Sequence, residues 1–238
     1  MRPMRSSGGG SGFGFSGLES MAAKLAIGLV AGSVLTLAAQ ATIGRLLVLS
    51  PRAVFPGFQL WQPFTYGFVE TEPFGIIFGA FALYSIGGGL EMTWGSRRLL
   101  QVLWGGTALA GILTVVVGLF VPLPGYYTGG WVMGTMAWVA YGLSIGRGQA
   151  NFWGIPVSGN VLAGIGAGFV VLNGLRAGWA TQVPELFGLG IIFLYVRGGS
   201  PRRLWLRFQH WRLQRQVQGR SRHLRVISSD RPNDKYLN

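Results

Sequence analysis

The chain alternates between long apolar runs and short polar or proline-containing segments, and this alternation predicts membrane-spanning helices. About 20 apolar residues in a helix cross the roughly 30 Å of bilayer hydrocarbon. Six runs are predicted to be spans, the last of them short: Leu25–Leu47, Gly75–Ser96, Leu99–Val121, Gly129–Ile145, Val157–Leu175 and Val183–Val196. The predicted fold is therefore an all-α polytopic membrane protein with six helices. A signal peptide is the alternative for the first run, but its length and the lack of a clear cleavage site favour a retained span.

Small residues four positions apart occur in two of these runs. The second run contains Gly75 and Gly79, and the fourth contains Gly130 and Gly134. In lipid, where apolar side chains provide little drive for association, such spacing lets two helices approach closely. These four glycines are therefore predicted to be helix-packing positions.

Composition agrees with a membrane protein. Half of the residues are hydrophobic, only 11% are charged and 40 are glycine, and the mean hydropathy is +0.41. The chain contains no cysteine and no H-E-x-x-H sequence, so neither a disulfide framework nor a cysteine or zincin metal site is predicted. No metal or cofactor is expected.

The basic residues predict an orientation. With six spans both termini lie on one side of the membrane, and seventeen of the twenty Lys and Arg residues fall on that side. Only Arg45, Arg52 and Arg176 fall on the other. Basic residues are concentrated in cytoplasmic segments. Both termini are therefore predicted to be cytoplasmic.

Three regions are predicted along the chain. Residues 1–20 are rich in Gly and Ser and are expected to be disordered, residues 21–196 form the membrane domain, and residues 197–238 form a basic tail. The net charge of +13 belongs largely to this tail, which holds eleven of the basic residues. The tail is predicted to lie on anionic lipid through Arg202, Arg203, Arg207 and Arg212. A cytosolic partner is the alternative; nucleic-acid binding is not favoured, because no recognised module surrounds these residues.

Residues that support known intramembrane proteolysis are missing from the predicted spans. Histidine, lysine and aspartate occur only at or outside the ends of the membrane domain, as His210 and His223, Lys24 and Lys235, and Asp230 and Asp234. A serine nucleophile needs a nearby base, and an aspartyl mechanism needs a carboxylate pair. The sequence therefore predicts that the protein is not an enzyme.

Two motifs nevertheless indicate a known scaffold. The segment Leu60–Phe68, LWQPFTYGF, contains Trp61 and Thr65, and the end of the second run contains Glu91, Gly95 and Arg98. Together these segments resemble the first loop and the second helix of the rhomboid superfamily. The resemblance implies a six-helix bundle in which the aromatic segment 48–73 is a hairpin half-submerged in the membrane. An ordinary interfacial loop is the alternative.

The resemblance also implies where catalytic residues are missing. Gly129 falls at the position of the rhomboid nucleophilic serine and Glu185 at that of the histidine base. Gly75 and Gly79 fall at the positions of the histidine and asparagine that stabilise the oxyanion. Glycine offers neither a nucleophile nor a side-chain donor, so the chain resembles a rhomboid-like pseudoprotease.

By this resemblance the expected function is binding of transmembrane segments of client proteins, for retention, routing or quality control. Gly129 and Glu185 are the client-binding candidates, and Gly129→Ser is expected to fold because Gly129 should border a cleft. For Glu185 the alternative is an ordinary charge at a helix N-terminus; Glu91 is expected to pair with Arg97 and Arg98 or to cap a loop.

The main alternative is an active rhomboid serine protease that uses Ser144 or Ser158. A transporter or channel is not favoured, because paired charges and an internal repeat are absent. Membrane lipids and transmembrane clients are the predicted partners, and a bacterial inner membrane is the predicted location.

Overall fold

The computed structural model describes residues 17–152 and 155–198, and this part of the chain is mostly helical. The α-helices, in chain order, are α1 (Met21–Ala38), α2 (Arg45–Leu47), α3 (Pro51–Val54), α4 (Gln62–Thr65), α5 (Pro73–Phe81), α6 (Gly87–Trp94), α7 (Ser96–Gly118), α8 (Gly130–Ile145), α9 (Gly159–Ala177) and α10 (Val183–Arg197). Short π-helical segments occur at Gln40–Gly44 and Ala82–Ile86, and short 3-10 segments at Tyr66–Phe68 and Trp179–Gln182. The predicted disordered segment lies almost wholly outside the described residues, as do Arg202, Arg203, Arg207 and Arg212 of the predicted lipid surface.

Five helical stretches in the described ranges are long and apolar enough to cross a membrane. They are Met21–Ala38, Pro73–Trp94, Ser96–Gly118, Gly159–Ala177 and Trp179–Arg197. The second stretch joins α5 and α6 through the π-helical segment Ala82–Ile86. The fold is therefore an all-α polytopic membrane bundle with one small hairpin.

Helix α8 lies at the centre of this bundle although it is shorter, with 16 residues. Twelve of these residues are buried, and α8 contacts α5, α7, α9 and α10. A helix that is apolar on all sides must be buried or face lipid. In α8 the neighbouring helices provide that burial.

The segment before α5 is fastened to the bundle by hydrogen bonds. Leu49 and Tyr127 exchange backbone hydrogen bonds of 3.0 and 2.7 Å, and the Tyr66 hydroxyl donates to the Thr107 carbonyl at 2.6 Å. Burial raises the pKa of the Tyr66 phenol well above its usual value, and the nearby charge of Glu185 adds to this effect. Tyr66 therefore remains a protonated donor that holds the segment against α7.

Several boundaries differ from the sequence predictions. Helix α7 begins at Ser96 rather than Leu99 and ends at Gly118 rather than Val121. The first helix ends at Ala38 rather than continuing regularly to Leu47, because Ala39 leaves the helical conformation and a π-helical segment follows. The fifth helix begins at Gly159 rather than Val157. The residues before it form an antiparallel hairpin of β1 (Gln149–Phe152) and β2 (Ile155–Ser158). Val157 and Ser158 are paired in this hairpin with Ala150 and Gln149, so the helix begins after them.

Candidate functional site

An open cleft with a volume of about 440 Å³ lies where α5, α8 and α10 begin and α9 ends. Its walls combine carboxylates, hydrogen-bonding side chains and aromatic rings. They are formed by Glu70, Thr71, Glu72, Phe74, Gly75, Pro124, Tyr126, Tyr127, Thr128, Trp131, Phe169, Asn173, Arg176, Ala177, Thr181, Gln182 and Glu185. This mixture of apolar surface with a few polar groups is typical of binding sites.

Glu70 is the most extensively hydrogen-bonded side chain of the cleft, and it is only 4% exposed. Its Oε1 accepts from the Thr71 N–H at 2.9 Å and the Thr128 hydroxyl at 3.2 Å. Its Oε2 accepts from the Trp131 N–H at 3.1 Å. The Trp131 N–H belongs to the first turn of α8, where helix N–H groups lack intrahelical partners. Glu70 therefore caps α8.

Glycines allow Glu70 to reach this position. The N–H of Gly130 donates to the Val69 carbonyl at 3.1 Å, which places the backbone before Glu70 against the start of α8. A Cβ on Gly130 would lie 3.0 Å from the Glu70 Cβ, and one on Gly75 would lie 2.8 Å from the Glu70 Cγ. Both contacts are tighter than ordinary van der Waals packing. The nearest contacts of Gly75 are thus with Glu70 rather than with the fourth predicted span.

Glu185 differs from Glu70 because part of its carboxylate has no partner. It lies in the first turn of α10 and is 7% exposed. Its buried Oε2 has no hydrogen-bond partner among the described residues, and the same is true of Trp131 Nε1 and Gln182 Oε1. Buried polar atoms are normally paired. Three unpaired atoms, two acceptors and one donor, thus come from residues that line one cleft.

Tyr127 closes one side of the cleft as a hydrogen-bond donor. Its hydroxyl donates to the Ala180 carbonyl at 2.7 Å. Burial raises the pKa of this phenol, and the Glu185 charge raises it further. The Tyr127 hydroxyl therefore links the segment before α8 to the segment before α10.

Of the four predicted packing glycines, Gly79 and Gly134 lie closest to each other. A Cβ built on Gly134 would be 3.3 Å from the Gly79 Cα, and a Cβ on Gly79 would be 3.5 Å from the Gly130 carbonyl oxygen. The Gly79 position also contacts Leu29 of α1, whose Cδ2 would lie 2.9 Å away. Helices α1, α5 and α8 therefore meet around Gly79.

Gly129 lies in a tight contact and is not among the residues that line the cleft. A Cβ there would lie 2.7 Å from two ring carbons of Tyr66 and 2.9 Å from the Gly67 Cα. The Gly129 N–H also donates to the carbonyls of Tyr66 and Val69. This arrangement contradicts the expectation that Gly129→Ser folds normally, because the serine would have to displace a buried ring.

The motif residues of the aromatic loop attach it to α2. Trp61 Nε1 donates to the Leu46 carbonyl at 3.0 Å, and the Thr65 hydroxyl donates to the Leu47 carbonyl at 3.1 Å. These bonds satisfy carbonyls at a helix end. Trp61 and Thr65 thus position the loop whose last residues include Glu70.

The motif at the end of α6 organises the start of α1. Glu91 accepts from the N–H groups of Met21 and Ala22 at 3.0 and 2.9 Å, so it caps α1 instead of pairing with the arginines at the end of the second span. Gly95 has φ of 80°, a conformation that favours glycine, and it separates α6 from α7. Arg98, by contrast, is exposed in the first turn of α7.

The described residues contain no group of three His, Cys, Asp or Glu side chains that could hold a metal ion. The alternative serines lie away from the cleft. Ser144 is fourteen residues along α8 from Gly130, which corresponds to about 21 Å of helix. Ser158 directly precedes α9, whose first residue, Gly159, contacts Gly142 near the same distant end of α8.

A comparison with protein families matches residues 23–130 to a family described as eukaryotic integral membrane protein (DUF1751). The match covers somewhat under half of the chain and includes most or all of the first three membrane-length stretches. The chain is a multi-pass integral membrane protein. The family's eukaryotic description argues against the bacterial membrane predicted from the sequence. No curated protein matches the chain.

The matched segment contains Glu70, but Glu185 lies outside it. Glu70 has no role in the sequence-based predictions, because its partners Thr128 and Trp131 are 58 and 61 residues away along the chain. A signal was present: residues 21–196 contain four carboxylates, and an ionisable residue within a membrane domain is a functional candidate by default.

Proposed function

We propose that this protein is a rhomboid-like pseudoprotease that binds transmembrane segments of client membrane proteins without cleaving them. The observation that carries the proposal is the cleft in which Glu185, Trp131 and Gln182 have unpaired buried atoms. Such atoms favour a partner that supplies the missing hydrogen bonds. The role would be retention, routing or quality control of those clients.

The absence of a base for a serine nucleophile supports binding without catalysis. Both histidines of the chain, His210 and His223, follow residue 198. Ser144 lies in the last turn of α8 and Ser158 directly precedes α9, both away from the cleft. Gly129, which the rhomboid resemblance places at the position of the nucleophilic serine, is packed against Tyr66. An active serine protease would need a base beside its nucleophile.

A six-span topology with both termini in the cytoplasm belongs to the same proposal. Five stretches are long enough to span on their own, and α8, at the centre of the bundle, would be the sixth. With this topology the cleft opens on the non-cytoplasmic side, because it lies at the end of the bundle where α8 begins. The concentration of basic residues in the chain's last segment supports this orientation.

Site-specific photocrosslinking in native membranes tests client binding. A benzoylphenylalanine at Tyr126, which lines the cleft and is 62% exposed, is expected to capture single-pass membrane proteins. The matched control places the same probe at Phe193, which is 54% exposed on α10 and does not line the cleft. Single-pass proteins should be enriched several-fold at position 126 over position 193. Equal capture at the two positions would contradict the proposal.

A further inference from the structure

The two buried carboxylates of the cleft, Glu70 and Glu185, differ in whether both of their oxygens accept hydrogen bonds. Glu70 accepts hydrogen bonds from Thr71, Thr128 and Trp131 on both of its oxygens, so its charge is stabilised within the protein. Glu185 is also buried, but its Oε2 accepts none from the described residues. A buried carboxylate without a donor is destabilised. The unmet requirement of the cleft is therefore an N–H donor directed at Glu185.

The charge of the cleft favours a cationic donor. Its lining residues include the carboxylates of Glu70, Glu72 and Glu185 and the single guanidinium of Arg176. The cleft is thus acidic within a protein whose net charge is +13. A cation entering such a site gains more than a neutral donor of the same shape, because the low-dielectric walls strengthen its attraction to the carboxylates.

The rest of the lining fits a side chain with an apolar stem on a peptide backbone. The rings of Phe74, Trp131 and Phe169 line the cleft and can cover the methylene groups of lysine or arginine. The unpaired Trp131 Nε1 matches a carbonyl, and a helix leaves its last carbonyls unpaired at its C-terminal end. The unpaired Gln182 Oε1 can accept a further N–H of the cationic group. Both requirements are met where a basic residue lies at the C-terminal end of a transmembrane helix.

We infer that the cleft recognises a lysine or arginine at the end of a client's transmembrane helix, with the cationic group against Glu185. This inference rests on the proposed function and names the chemistry that selects among clients. Glu70 then has a structural part: it caps α8 and holds Trp131 in position. Glu185 is the residue that contacts the client.

The test is a double-mutant cycle with the full-length protein in phosphatidylcholine nanodiscs. Two synthetic single-pass helices, with either Lys or Gln at the boundary position, are titrated against the parent protein and against Glu185→Gln. The parent is expected to bind the Lys helix about tenfold more tightly than the Gln helix. In Glu185→Gln the two affinities should be nearly equal, because the carboxylate that distinguishes them is gone.

The matched control is Glu19→Gln, the same chemical change at an exposed carboxylate outside the cleft; it should retain the tenfold preference. Melting curves establish that each variant is folded. Equal affinities in the parent, or a preference that persists in folded Glu185→Gln, would overturn the inference and leave client binding intact. Failure of both helices to bind the parent would overturn the proposed function as well.

Discussion

Gly142→Leu is expected to cause the largest loss of stability of any single change considered for this fold. A Cβ at Gly142 would lie 2.5 Å from the Ala163 backbone nitrogen and 2.6 Å from the Gly159 carbonyl oxygen. The obstacle is the backbone of α9, which cannot rotate away as a side chain can. Helices α8 and α9 must therefore separate.

Overpacking of a core costs about 1–3 kcal/mol and occasionally more, and a larger figure of about 4 kcal/mol is expected where backbone meets backbone. For a chain of this size the melting temperature of the detergent-solubilised protein should then fall by about 8–16 °C. The matched control is Gly164→Leu on α9, where an added Cβ meets nothing within 4 Å. Similar melting of the two variants would contradict the packing of α8 on α9.

Glu70→Ala is expected to cause the second large loss, and it also tests the support of the cleft. The change removes the acceptor for the Trp131 N–H at the start of α8 and for the Thr128 hydroxyl. Donors left unpaired in partly buried surroundings cost about 1–3 kcal/mol each, less where water can reach them. A total of about 3 kcal/mol, or 6–12 °C in melting temperature, is expected.

Its control is the neighbouring carboxylate, Glu72, which is exposed and whose side chain makes no capping hydrogen bond to α5. Glu72→Ala should melt close to the parent. Glu70→Gln retains one acceptor oxygen and should fall between the two. If Glu70→Ala is as stable as Glu72→Ala, Glu70 does not cap α8, and the assignment of separate parts to Glu70 and Glu185 loses its basis.

The membrane helices could be predicted because each is a continuous apolar run of the sequence. The site could not, because it depends on contacts between segments that are distant along the chain. The spacing of Gly79 and Gly134 within their helices is visible in the sequence, and these residues do lie against each other. The partner of Glu91 is not visible, because the N–H groups it caps are 69 and 70 residues away. The same reason explains why Glu70 was missed.

Gly129 shows a second limit of sequence reasoning. The sequence-based prediction placed Gly129 at a nucleophile position, but it could not predict how much room surrounds that residue. In the structure the Tyr66 ring occupies that room.

The hairpin of β1 and β2 was not predicted, because its residues join two apolar runs without the alternating pattern that marks a half-buried strand.

The central claim, binding without cleavage, is tested most directly by the intact mass of a bound client. A single-pass helix with a terminal lysine is reconstituted with the full-length protein in liposomes, incubated, co-purified and measured by mass spectrometry. The proposal predicts that the co-purified helix has its full mass, and that its recovery falls in Glu185→Gln but not in Glu19→Gln. Accumulation of a shortened helix that depends on the protein would contradict the claim and show that the protein is a protease.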